Sequence, residues 1–154
     1  MGYKELDKHV TSDPLGRHIF PKMLSCIWQI LGVAGFEERY KGVKFYYYKR
    51  PFAEEDLEKE KEVLAFTDNS IIRAKPLYYE ERLKTIELET FNKNDIHKLL
   101  LKTSIEMPEY NVKLEIKFKD GSILNLDSKE DINVHWENKS TEQIKEIARF
   151  LVST

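Results

Sequence analysis

The chain reads as an α+β protein, an antiparallel β core closed by a C-terminal helix, with an additional apolar helix near its N-terminus. Three observations predict this. Val112, Leu114, Ile116 and Phe118 alternate with Lys113, Glu115, Lys117 and Lys119 and then meet Asp120-Gly121, the period-2 pattern of a half-buried strand entering a turn. Ile144, Ile147, Ala148 and Leu151 recur at i, i+3, i+4 and i+7, one apolar stripe on a helix, with Phe150 beside it. Short runs rich in β-branched and aromatic residues, at 43–50, 63–66 and 70–74, are separated by turn-forming residues.

Taken in order, residues 3–20 carry a turn signal at Ser12-Asp13-Pro14 and Gly16, which sets a short arm or helix apart from the next segment. Pro21 suits the first turn of a helix, and Met23, Leu24, Ile27, Trp28 and Leu31 fall at helical spacing before Gly32 or Gly35 ends it. This helix is expected to be strongly buried. Lys41-Gly42 turns into a strand, Val43 to Arg50, that Pro51 stops or marks as an edge. The stretch 53–62 is highly charged; Glu55 and Lys59 are spaced for an exposed helical turn, with a loop as the alternative.

Thr67-Asp68-Asn69 joins 63–66 to 70–74 as a hairpin, after which Lys75-Pro76 is expected to open a loop. Residues 82–91 read as strand on their Thr and Ile content, with helix as the alternative, and Asn92-Lys93-Asn94-Asp95 is a turn. Ile96 to Lys102 returns as a short strand or helix, and Met107-Pro108 precedes the last hairpin.

That hairpin has a predictable register. A two-residue loop at Asp120-Gly121 would pair Ile116 with Asn125 and mix the faces. A three-residue loop, Lys119-Asp120-Gly121, pairs Ile116 with Leu124 and Leu114 with Leu126, which calls for a type I turn with Gly121 in the left-handed region. Ile132 to Trp136 reads as a last strand. Asn138-Lys139-Ser140 then interrupts it, and Ser140 with Gln143 has capping-box spacing, Glu142 adding negative charge near the helix start.

The 154 residues suit a single domain in which 1–40 forms an N-terminal helical extension packed on a 43–154 β-core. Charged residues make up 34% of the chain, but 25 Lys and Arg against 27 Asp and Glu leave no global pull towards nucleic acid or anionic membrane. Cys26 is the sole cysteine, so an intramolecular disulfide and thiol-rich metal sites are excluded. The N-terminus lacks a signal-like apolar region, and the longest apolar neighbourhood, 23–36, is too short to span a bilayer. These features predict a soluble, cytoplasmic protein.

The hairpin Val63-Leu64-Ala65-Phe66-Thr67-Asp68-Asn69-Ser70-Ile71-Ile72, the middle strands ending near Ile96, the strand pair about Asp120-Gly121 and the single C-terminal helix resemble the bacterial pleckstrin-homology-like domains. The resemblance covers residues 43–154 and rests on element order. It implies two roughly orthogonal antiparallel sheets forming a half-open β-barrel with the terminal helix at one end, and a role in binding lipids, peptides or proteins. It supplies no catalytic residue. The apolar N-terminal helix and the charged 53–62 insertion depart from the family plan.

Enzyme signatures fail one by one. His9, His18, His97 and His135 have neither metal-ligand spacing nor cysteine neighbours, so no metal or cofactor is expected. Cys26 lies on an apolar helix and reads as a buried small hydrophobe. The acidic runs at 37–38, 54–56 and 80–81 read as solvated faces, and no glycine-rich loop opens a helix to cradle phosphate. The most suggestive patch is 41–50, where Lys44, Tyr46, Tyr48, Lys49 and Arg50 are the candidate binding residues. Interleaved aromatic and basic residues can stack on bases, and Lys41-Gly42 with Phe45 and Tyr48 partly resembles an RNA-recognition signature. Val43 and Lys44 break that signature. The plainer reading is a half-buried aromatic strand with alternate Tyr hydroxyls at the surface. The sequence therefore predicts a non-catalytic protein-binding module with an unknown protein partner. Nucleic-acid or anionic-lipid binding through 41–50 is the alternative, with membrane attraction expected to be weak, and an enzyme with an unseen tertiary site comes third.

Overall fold

The computed structural model describes residues 26–30, 42–50, 61–79, 82–106, 111–132 and 137–153. The chain divides into two compact units, Met1–Thr90 and Phe91–Thr154. Among the described residues, seven antiparallel strands form two sheets, accompanied by a C-terminal helix and a short N-terminal helical segment. That is the α+β class expected, in an element order consistent with a pleckstrin-homology-like plan.

In the first unit, residues 26–30 are helical (α1). Cys26, Ile27 and Ile30 are fully buried, whereas Trp28 is 37% exposed. The inward face thus runs through 26, 27 and 30, and Trp28, expected on the apolar stripe, lies off it. The strands are β1 (Val43–Lys49), β2 (Glu62–Thr67), β3 (Ser70–Tyr79) and β4 (Arg82–Asn92), in the order β1-β2-β3-β4. Every residue of β2 is buried, which explains why Val63-Leu64-Ala65-Phe66 is apolar without alternation: a central strand covered on both faces needs no polar side. The β2–β3 turn is held by Thr67, whose Oγ1 accepts the backbone N–H of Ser70 at 3.0 Å and of Asn69 at 3.3 Å.

Two expectations in this unit need correction. Pro76 does not open a loop; it lies inside β3 and is buried. The β2–β3 register, with Val63 opposite Ala74, sets Pro76 level with residue 61, where β2 has not yet begun, so the missing N–H breaks no β2 ladder. Glu62, assigned to the charged insertion, instead opens β2.

The second unit begins at Phe91 and contains a 3₁₀ turn (Lys93–Asp95), β5 (Ile96–Thr103), β6 (Val112–Phe118), β7 (Ile123–Asp127) and α2 (Glu137–Val152). Asn92 caps the turn by accepting the Asn94 N–H at 2.9 Å. The sheet order is β5-β6-β7. Leu114 pairs with Leu126 and Ile116 with Leu124, as the three-residue loop requires. Gly121 has φ +93°, its N–H donates to the Phe118 carbonyl at 3.0 Å, and the Phe118 N–H donates to the Ser122 carbonyl at 2.9 Å. α2 packs on β6 and β7, and Ile144, Ile147 and Leu151 are buried, each contributing about 1.5–3 kcal/mol relative to exposure. Phe91 stacks on Phe118 with centroids 4.6 Å apart, and the Lys93 ammonium lies 4.0 Å from the Phe150 ring centroid.

The helix start is corrected too. α2 begins at Glu137, so Ser140 is a buried residue of its first turns and not a cap. Packing of Ile144, Ile147 and Leu151 carries Ser140 and Thr141 into the helix against their preference for helix ends, at a cost, since the buried Thr141 hydroxyl has no hydrogen-bond partner among the described residues. Residues 82–91 and 96–102, open between strand and helix, are both strand. Of the supposed last strand, Ile132 is in a bend and 133–136 lie outside the described residues. So do the turn at 12–16, the helix-ending glycines 32 and 35, Pro51, the stretch 53–60 and Met107-Pro108. Among the described residues no helix is long and apolar enough to cross a membrane.

Candidate functional site

β1 is a terminal strand of its sheet, and its pairing with β2 is continuous from Phe45–Phe66 to Lys49–Glu62. A register shift between Val43 and Phe45 marks its start as irregular. One face therefore carries Phe45, Tyr47 and Lys49 with Phe66, Leu64 and Glu62, and the other carries Tyr46 and Tyr48 with Ala65 and Val63. Tyr46 is 9% exposed, and Tyr47 and Tyr48 are 1% exposed each. Both faces are covered here, so the three consecutive tyrosines do not alternate between core and surface. Tyr46 and Tyr48 stack on one another with centroids 6.3 Å apart and planes 13° apart. Burial raises the Tyr46 hydroxyl well above its ordinary pKa.

The basic candidates have separate environments. Lys44 is exposed. Lys49 lies 3.9 Å from the Glu62 carboxylate, and the other Glu62 oxygen lies 3.9 Å from Arg73, which also pairs with Glu89. These four side chains belong to β1, β2, β3 and β4 in turn, so a ladder of alternating charge crosses the whole sheet. Arg50, with φ +53°, turns the chain out of β1, and its carbonyl accepts the buried Lys61 ammonium at 3.0 Å. The strand's two candidate rings thus lie inside the protein, and Lys49 faces a carboxylate.

Cys26 is buried, and desolvation pushes its thiol up to about 12, which keeps it protonated and unreactive near neutral pH. His97 is exposed on β5, while His9, His18 and His135 lie outside the described residues. Among the described residues no group of three His, Cys, Asp or Glu side chains is placed to hold a metal.

A second surface, which sequence reasoning missed, lies on β5. This strand is also terminal in its sheet, and none of its eight residues is buried. Leu99 and Leu101 stand opposite Ile116 and Leu114 on the face that α2 covers over β6 and β7. Leu99 remains half-buried, and Leu101 is 44% exposed. Leu100 is half-buried on the opposite face, across from Glu115. The signal in the sequence is Lys98-Leu99-Leu100-Leu101-Lys102, an apolar run without alternation bracketed by lysines. On a central strand such a run means burial on both faces; on an edge strand it leaves apolar surface exposed.

Comparison with known proteins finds no family model that matches the chain and no curated protein that matches it.

Proposed function

We propose that this chain is a non-catalytic protein-binding module on a pleckstrin-homology-like core. The observation that carries the reading is the β5 edge, eight residues of terminal strand with three consecutive leucines, none buried. Strand edges present unsatisfied main-chain groups, and an apolar edge left open tends to aggregate unless it is covered or charged. Here lysines flank the leucines, which blunts non-specific pairing and leaves an apolar centre for a partner. The buried, protonated Cys26 supports a non-catalytic role, and the engagement of Lys49 by Glu62 weighs against nucleic-acid or anionic-lipid binding through 41–50.

The test is capture of partners from the host's own lysate by the tagged chain, with and without nuclease, using wild type, Leu101→Asn and Lys44→Glu, the last at an exposed position of β1. The reading expects nuclease-resistant protein retained by wild type and by Lys44→Glu, and lost with Leu101→Asn. Recovery of nuclease-sensitive material alone, lost with Lys44→Glu, would move the function to nucleic acid binding through 41–50.

A further inference from the structure

We infer that the β5 edge takes an extended peptide strand of one pattern: an acidic residue, three apolar residues and a second acidic residue. This rests on the protein-binding reading and names its ligand. In an antiparallel ladder, alternate residues of a terminal strand direct their N–H and C=O groups away from the paired neighbour, and a partner strand satisfies them. Residues directly across a strand pair share a face, so β5's own pattern dictates the partner's.

Lys98, Leu100 and Lys102 lie on one face of β5, opposite Lys117, Glu115 and Lys113; Leu99 and Leu101 lie on the other. An added strand therefore meets Lys98 and Lys102 at positions four apart on a single face, with three apolar positions between. Lys98 makes no ion pair with a described residue, and Lys102 shares Glu115, 3.5 Å away, with Lys117 at 3.8 Å. That face carries Lys98, Lys102, Lys113 and Lys117 against Glu115 and Asp127, an excess of positive charge. Acidic residues at the two flanking positions complement it, and basic ones repel. The pattern is the same read in either direction, so it holds for parallel and antiparallel docking.

A second copy of this chain does not supply that complement. β5 (Ile96–Thr103) carries no acidic residue, so no register of two paired β5 strands sets a carboxylate opposite Lys98 or Lys102, and the register centred on Leu100 sets the two lysines opposite each other twice.

The experiment titrates the full chain with two fluorescent synthetic peptides, Ser-Glu-Leu-Val-Leu-Glu-Ser and its lysine counterpart Ser-Lys-Leu-Val-Leu-Lys-Ser, at low salt. The expected result is at least tenfold tighter binding of the glutamate peptide, weakening as salt rises. In the double variant Lys98→Glu/Lys102→Glu the preference reverses, so that a loss through misfolding is distinguished from a change of specificity. Equal binding of both peptides, no binding of either, or an unreversed preference would overturn the inference. Should that happen while lysate capture is still lost with Leu101→Asn, the protein-binding reading stands and only the acidic-strand ligand falls.

Discussion

Leu101 on β5 stands directly opposite Leu114 on β6, yet Leu114 is 1% exposed and Leu101 44%. The two leucines share a face of the sheet and differ in what covers them, because α2 lies over β6 and β7. Leu114→Ala is expected to cost about 2–5 kcal/mol in urea denaturation, as a cavity forms beneath the helix. Leu101→Ala should cost less than about 1 kcal/mol, since its site is already wet. Equal costs would place Leu101 in the core and remove it from the binding surface.

Gly121 provides a conformational test without a packing component. Its φ is +93°, and a Cβ added there would meet nothing within 4 Å. Gly121→Ala should therefore destabilise by about 1 kcal/mol through backbone strain alone, and Gly121→Asn by less. Thermal denaturation of the two variants checks the order. Unchanged stability in both would mean that the loop relaxes to another turn.

The hairpin around Gly121 was legible in the sequence because each strand buries a single face, so the register that aligns Leu114 with Leu126 also separates Lys113 and Glu115 from the core. β1 was less legible. Tyr46, Tyr47 and Tyr48 are suitable for a strand whether one face is buried or both, and only tertiary cover decides. Pro76 and Ser140 misled for the same reason: each is a local breaker or cap whose preference was overridden by its place in the sheet or helix. The β5 leucines were visible as a run, but that the strand is terminal depends on sheet order, which local pattern does not encode.

The ladder Lys49–Glu62–Arg73–Glu89 should matter more than the ion pairs of the second sheet. Glu62 is 5% exposed and faces two cations, so Glu62→Ala leaves Lys49 and part of Arg73 uncompensated. We expect a loss of about 2–4 kcal/mol by chemical denaturation, against at most about 1 kcal/mol for Lys102→Ala, whose side chain is 57% exposed. Comparable losses would show that the ladder is screened like a surface pair.

Alkaline pH should unfold the first unit's core. Burial raises Cys26 from 9.0 to about 12 and raises Tyr46 above its ordinary 10.0. Both groups keep their protons longer when folded, so their contribution is fully present below the unfolded values and is lost as pH rises through the folded ones. Stability measured by denaturant titration should be flat towards pH 8 and fall above about pH 9. Cys26→Ser should flatten the first part of that fall. In native protein at pH 8, thiol labelling should proceed only at the rate of opening; immediate labelling would mean that Cys26 is accessible.

The most direct test of the account is backbone hydrogen exchange across 96–103 of the full chain, alone and saturated with the glutamate peptide. Pairing at the β5 edge predicts slowed exchange at alternate amides of this strand on peptide addition, with exchange in β1 unchanged. Exchange in β5 that stays the same, or protection that falls on β1 instead, would contradict it.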